Sequence, residues 1–291
     1  MHPPESPYRV ATDQSFDLAG SPTAPTDDVP DKKALRKELK SVVREISGLQ
    51  RKLYADGRFA LLLVFQAMDA AGKDGTIRAV LSGVNPAGCR VSSFKAPSSL
   101  ELDHDFLWRT SCELPPRGVI GVFNRSYYEE VLAVRVSPDF LAAQNLPATV
   151  TSDKKELWQQ RFASIREHEA HLANNGTCVL KFWLNVSRDE QKARFMERLT
   201  NPDRYWKFSK SDLAVRQQWD EYMDAYQKTL RATSTDIAPW YAVPADSKPW
   251  MRLVVARLIR DQLASLPLAY PEKSTEELSH FDSIRAQLQA E

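Results

Sequence analysis

The sequence predicts an α/β fold, a doubly wound parallel sheet of about five strands with its ligand site at one edge. Three observations predict it. Short apolar runs recur between helix-periodic segments along the chain. The run Phe59–Phe65 is unbroken, too short to cross a membrane, and suited to a parallel strand covered on both faces. It leads through Gly72-Lys73-Asp74-Gly75-Thr76 into Ile77, Val80, Leu81 and Val84 at helical spacing. Strand, Gly-Lys loop and helix follow in the order a phosphate-binding loop requires.

The chemistry of that order is simple. N–H groups at a helix N-terminus point at an anion, a glycine allows close approach, and a lysine reaches the terminal phosphates. Two positions depart from the G-x-x-x-x-G-K-[ST] pattern: Ala67 replaces the first glycine, and Asp74 replaces the metal-binding hydroxyl. An ordinary strand–turn–helix corner with a solvated lysine is the alternative. Asp69 favours the phosphate loop, because a carboxylate among phosphates repels them unless a cation such as Mg²⁺ lies between. Its alternative role is a turn residue bonded to its own backbone.

At 291 residues, 26% charged and 43% hydrophobic, the composition is that of one large α/β domain with extensions. No apolar run reaches membrane length, and the N-terminus lacks the basic-then-apolar pattern of a signal peptide. Cys89, Cys112 and Cys178 show neither metal spacing nor an even count, which fits reduced thiols and a cytoplasmic protein. A net charge of +1 offers no global signal for nucleic acid, so any polyanion site must come from local clustering.

In chain order, residues 1–30 carry six prolines and read as an extended or disordered arm. Asp31 caps a helix to Asp56 with Leu35, Leu39, Val42, Ile46, Leu49 and Leu53 at helical spacing. After the Gly-Lys loop and its helix come a strand near Arg90–Phe94, a helix near Leu100–Ser111, and a turn at Pro115–Gly118. The strand Val119–Phe123 delivers Asn124 and Arg125 to its C-terminal end, where open α/β sheets bind ligands. Residues 153–174 predict a long helix whose His168 and His171 lack zinc spacing and read as solvated. Thr177–Leu184 predicts a strand, and Ser187 with Glu190 predicts a capping box for a helix to Leu199. Residues 198–210 are dense in cations and aromatics, with the composition of a closing lid or, read alone, of a solvated basic loop. A helix Leu213–Arg231, a strand Trp240–Pro244 and a helix from Pro249 to Leu263 complete the pattern, and the tail from Pro267 holds one short amphipathic piece.

The sequence resembles the polyphosphate kinase 2 family, in Met68-Asp69-Ala70-Ala71-Gly72-Lys73-Asp74-Gly75-Thr76-Ile77, Phe94-Lys95-Ala96-Pro97-Ser98, Leu107-Trp108-Arg109, Pro115-Pro116-Arg117-Gly118, Phe123-Asn124-Arg125-Ser126-Tyr127-Tyr128-Glu129 and Trp206-Lys207-Phe208-Ser209. The resemblance implies a P-loop kinase-like three-layer α/β/α sandwich with a helical lid, Mg²⁺ as cofactor, and a homodimer or homotetramer. It divides the chain into an arm (1–30), a P-loop phosphotransferase domain (31–265) with a lid at 198–212, and a tail (266–291). Asn124, where most of the family has Asp, resembles the class III subgroup, whose members use both nucleoside mono- and diphosphates.

The expected activity is transfer of a phosphoryl group from inorganic polyphosphate to AMP/ADP or GMP/GDP, with no membrane or nucleic-acid partner. The alternatives are an ATP-dependent nucleoside or nucleotide kinase, disfavoured by the missing Ser/Thr after Lys73, and a non-catalytic polyanion binder, which leaves Asp69 unexplained. Asp69, Lys73 and Arg125 are the expected catalytic residues, with Asp69 and Glu129 as metal ligands. The loop residues Ala70, Ala71, Gly72, Asp74, Gly75 and Thr76, with Asn124, are expected to bind phosphate. Lys95, Arg109 and Arg117 are expected to join Arg125 along the polyphosphate track. Arg198, Arg204 and Lys207 are expected to converge on nucleotide phosphates, and Trp206 to stack on the base or anchor the lid.

Overall fold

A computed structural model describes residues 2–26 and 29–291; Met1, Asp27 and Asp28 of the expected arm lie outside the described residues. Five parallel strands form one sheet in the order β2-β3-β1-β4-β5, with β1 Ala60–Gln66, β2 Cys89–Ser93, β3 Ile120–Asn124, β4 Thr177–Asn185 and β5 Trp240–Pro244. Every residue of β1 is buried, as is every residue of β4 and β5. Full burial on both faces is what the unbroken apolar runs require, and each large apolar side chain contributes about 1.5–3 kcal/mol. Pairing of Phe65 with Asn124 and of Gln66 with Trp183 brings the C-terminal ends of β1, β3 and β4 level.

Helices cover both faces of the sheet, giving the α/β/α sandwich. One group comprises α1 (Lys32–Asp56), α2 (Lys73–Val80) and, near the other end of the chain, Lys248–Ser265, which packs against both. The Asp31 side chain accepts from the N–H groups of Lys33 and Ala34, and Gly57, at φ 66°, closes the other end of α1. The second group comprises α3 (Lys154–Asn174) and a helix at Trp219–Thr233. Between them in sequence lie α4 (Arg188–Thr200) and α5 (Lys210–Gln217); Trp219–Thr233 is α6, Lys248–Ser265 is α7 and the terminal helix Thr275–Ala290 is α8. Among the described residues no helix is long and apolar enough to cross a membrane.

Several expectations change. The arm is extended but packed: the Val10 N–H donates to Trp240 O at 2.9 Å and Ala242 N–H to Tyr8 O at 2.8 Å, and Val10 is buried. It straps the β5 edge, so its few apolar residues need no core of their own. The helix expected over residues 100–111 is two single turns, Ser99–Leu102 and Trp108–Ser111. Ser98 and Glu101 form a capping box on the first, and the Asp105 carboxylate accepts from Leu107 N–H and restarts the second. The helix expected over 213–231 breaks at Gln218, because Trp219 and Tyr222 turn into the core while α5 buries nothing. The C-terminal piece is a full helix with no buried residue. His168 is half-buried, not solvated: its ring meets Tyr127 edge-on at 5.5 Å, and burial pushes its pKa down.

One buried cluster was invisible in the sequence. Lys181 on β4 lies 2.6 Å from Glu169 Oε2 on α3 and also donates to Tyr128 Oη at 2.9 Å and Thr233 O at 2.7 Å. The hydroxyls of Tyr127 and Tyr128 each donate to Glu169 Oε1 at 2.8 Å. These bonds pin the short helical turn Tyr127–Val131, which carries Glu129 to the sheet edge. Glu169→Leu leaves the Lys181 ammonium buried without its counter-charge and is expected to cost about 3–5 kcal/mol in urea unfolding. The double variant Glu169→Leu with Lys181→Met should recover most of that loss.

Candidate active site

The loop from Ala67 to Gly72 leaves β1 at the edge where β3 also ends. Ala70, at φ 63°, and Gly72, at φ 110°, turn the chain back onto α2. Gly72 is required on two counts: its φ disfavours any side chain, and a Cβ there would lie 3.1 Å from Met251 Cε. The Lys73 ammonium folds over the loop and donates to Ala67 O at 2.9 Å. Burial pushes the Lys73 pKa down, Arg125 adds to that, and Asp69, Glu129 and Asp74 pull the other way.

Arg125 enters from β3. Its N–H donates to Phe65 O at 3.0 Å, extending the β1–β3 ladder, and its backbone then turns at φ 63°. Its guanidinium lies 2.9 Å from Asp69 Oδ1 and 3.8 Å from Glu129 Oε2. Glu129, then Asp69, raise its pKa. The other Glu129 oxygen accepts from Gln66 Nε2 at 3.1 Å. Asn124 Nδ2 donates to Asp74 Oδ1 at 2.8 Å, tying the end of β3 to the first turn of α2. Tyr222 on α6 faces the same carboxylates, and burial with Glu129 and Asp69 pushes its phenol up to about 12.

Two openings flank α2. One, of about 890 Å³, is lined by the apolar Ile77, Leu81, Val91 and Phe94 and by the polar or charged Asp74, Arg78, Lys95, Asn124 and Arg125. The other, of about 840 Å³, is lined by Lys32, Arg36, Arg204, Lys248 and Arg252, with Asp246. Arg252 comes so close to α2 that a Cβ on Gly75 would lie 3.0 Å from its Nη2. Burial, Arg78, Arg36 and Arg194 all lower the Arg252 pKa, a crowding of positive charge that suits an anion.

The structure thus brings together Asp69, Lys73, Asp74, Asn124, Arg125 and Glu129 around the loop formed by Ala70, Ala71, Gly72 and Gly75. Other expected residues lie elsewhere. Arg117 sits at the opposite, N-terminal end of the sheet, where it donates to Asn175 O at 3.3 Å, so it cannot line a track with Arg125. Thr76 is fully buried, with its N–H on Gly72 O at 3.0 Å, so neither its N–H nor its hydroxyl faces the openings. Arg109 is spent on Lys95 O at 2.8 Å, on Glu101 at 3.3 Å and over the Phe94 ring, which makes it an anchor for the loop that carries Lys95. Lys95 itself lines the first opening. In residues 198–212 the cations engage their own segment: Arg198 bonds Lys207 O at 3.1 Å, Arg204 pairs with Glu197 at 2.5 Å, and Lys207 lies over the ring of Trp206, which is 77% exposed.

Sequence reading missed the cations of the second opening, Lys32, Arg36, Lys248 and Arg252, which come from the starts of two helices far apart in the chain. It also missed Gln191 and Arg194, fully or nearly fully buried on α4. Their signal was available: Gln191, Arg194 and Phe195 share one face of an otherwise charged helix.

Residues 29–269 match the profile of the family described as "Polyphosphate kinase 2 (PPK2)". An ADP-polyphosphate phosphotransferase of Rhodopseudomonas palustris is 50% identical over 281 residues, 97% of each chain. An AMP/ADP-polyphosphate phosphotransferase of Meiothermus ruber is 43% identical over 269 residues, 92% of this chain and 96% of that one. The crystal structure of Polyphosphate Kinase 2 from Arthrobacter aurescens TC1 superimposes with a TM-score of 0.84 at 38% identity, covering 95% of both chains.

Gly72→Ala should destabilise the fold by about 1–3 kcal/mol through its strained φ. It should also weaken binding of inorganic tripolyphosphate; thermal melting and calorimetric titration measure the two effects.

Proposed function

The chain belongs to the polyphosphate kinase 2 family, and we propose that it transfers a phosphoryl group from inorganic polyphosphate to nucleoside mono- and diphosphates, AMP and ADP as well as GMP and GDP. The observation that carries this reading is the gathering of Asp69, Lys73 and Arg125 at one sheet edge, where Arg125 lines one opening and Arg252 of the other comes up to α2. A phosphate chain offers a protein little besides charge, and the groove of Lys32, Arg36, Arg204, Lys248 and Arg252 answers it with charge. A nucleoside needs apolar walls and a few polar contacts, which the other opening supplies. This reading moves the polyphosphate track from Lys95, Arg109 and Arg117 to the second groove.

In the transfer itself, Lys73 and the N–H groups of the loop hold the phosphates, and Arg125 neutralises charge on the moving group. Acceptor phosphates ionise near neutrality, so positioning and neutralisation outweigh proton abstraction. The donor set fits Mg²⁺: the carboxylates of Asp69 and Glu129, both facing Arg125, are hard oxygen ligands. Mg²⁺ takes one or two carboxylates and completes its shell with water and substrate phosphates. Bound there, it supplies charge neutralisation. Closure of residues 198–212 brings Arg198, Arg204, Trp206 and Lys207 over the substrates and excludes water. Asn124 and the Meiothermus relative, named for AMP and ADP, support the use of both mono- and diphosphates. A homodimer or homotetramer belongs to the same reading.

Product analysis with polyphosphate, Mg²⁺ and each of AMP, ADP, GMP and GDP is expected to show ADP then ATP from AMP, and the matching guanine products. ADP from AMP with no ATP would remove the class III assignment, and no product from any acceptor would remove the activity. Asp69→Asn should lower turnover at least about 10²-fold with an unchanged melting temperature. Arg252→Gln with Lys248→Gln should raise the polyphosphate KM more than the nucleotide KM and flatten its dependence on salt. Equal changes in the two KM values would contradict the assigned groove.

A further inference from the structure

Behind the phosphate loop runs α4, and two of its buried side chains, one turn apart, take hold of three consecutive loop carbonyls. Gln191 Nε2 donates to Asp69 O at 3.0 Å. Arg194 Nη1 donates to Ala70 O at 3.1 Å and Ala71 O at 2.7 Å. Every donor of that guanidinium is used: Nη2 bonds Ala245 O at 2.7 Å and Asp246 O at 3.1 Å, and Nε bonds Glu190 at 2.7 Å. Gln191 is itself held, its Oε1 accepting from Arg216 Nη1 on α5 at 2.7 Å.

A trans peptide group is planar, with its N–H opposed to its C=O. Carbonyls 69, 70 and 71 drawn back onto α4 therefore turn the N–H groups of Ala70, Ala71 and Gly72 away from α4. The Ala71 N–H is shared with Met68 O at 3.3 Å, so Ala70 and Gly72 are the two this turning presents. Donation from a charged guanidinium to a carbonyl also polarises that peptide and strengthens its N–H as a donor. The left-handed backbone of Ala70, at φ 63°, is the strain that this grip maintains.

We infer that Gln191 and Arg194 are positioning residues that set the loop's peptide N–H groups as the anion cradle, acting through the backbone without touching substrate. The inference rests on the reading that this loop holds the polyphosphate or nucleotide phosphates. Gln191→Glu is the decisive variant. It keeps size and the acceptor for Arg216, and replaces the amide donor with an oxygen that repels Asp69 O. Arg194→Met removes the grip altogether at nearly constant length.

Three quantities are measured on the full-length protein: melting temperature, calorimetric affinity for inorganic tripolyphosphate without turnover, and kcat and KM with ADP and polyphosphate. Gln191→Glu is expected to bind tripolyphosphate at least about tenfold more weakly and to lose about 10²-fold in kcat/KM, both beyond what any fall in melting temperature accounts for. Arg194→Met should lose more of each; if it does not fold, Gln191→Glu alone decides. Parental affinity and turnover in Gln191→Glu, or losses that simply follow melting temperature, would overturn the positioning role. A parent that binds tripolyphosphate yet makes no ATP would refute the function proposed above and leave the cradle standing.

Discussion

The architecture turns on an electrostatic constraint at one sheet edge: Lys73 and Arg125 must stay close together without a ligand between them. The protein meets this with its own carboxylates. Asp69 lies against Arg125, Glu129 stands behind both, and Asp74 is tied to Asn124. The opposing influences on Lys73, burial and Arg125 against Asp69, Glu129 and Asp74, describe a site assembled near charge balance before substrate arrives. A preassembled arrangement of this kind costs little reorganisation when phosphate enters.

That balance is held by elements that contribute nothing to chemistry themselves. The Lys181–Glu169 pair with its two tyrosines fixes the turn bearing Glu129, and the extended β1–β3 ladder fixes Arg125 through its own N–H. On the other side, α4 and Arg216 brace the loop carbonyls, and α4 continues directly into the cationic segment 198–212. The loop and the cationic segment are therefore joined through the same helix. Both openings beside α2 mix apolar and charged lining, and the one at the starts of α1 and α7 holds more cations, five against three.

Local sequence determined much of this. Strands β1, β3, β4 and β5 were legible as mostly apolar runs because they are buried on both faces, whereas β2 is largely exposed and carries no such run. The strand–Gly-Lys–helix order located the Gly-Lys loop because glycine and backbone N–H geometry act within a few residues. The caps at Asp31 and Ser187 were legible for the same reason, each acting within one turn. The motif resemblance pointed to Asp69, Lys73 and Arg125 together, and the structure gathers them.

Tertiary structure decided what depends on residues distant in the chain. Arg117, Thr76 and Arg109 had the right types in the right neighbourhood, yet the fold points them to Asn175, the core and the Glu101 loop, because a side chain's destination is set by its packing partners. The groove of Lys32, Arg36, Lys248 and Arg252 exists only because α1 and α7 start side by side, some two hundred residues apart in sequence. Arg194 read as one more charge on a charged helix; burial against four carbonyls makes it the grip behind the loop. The sequence by itself determined where most strands and helices and the Gly-Lys loop lie, since those follow from periodicity and local backbone geometry, while the breaks in the helices expected over 100–111 and 213–231 came with the fold. Only the folded chain decided which cations face the loop, since a long-range charge cluster has no signature in a one-dimensional pattern.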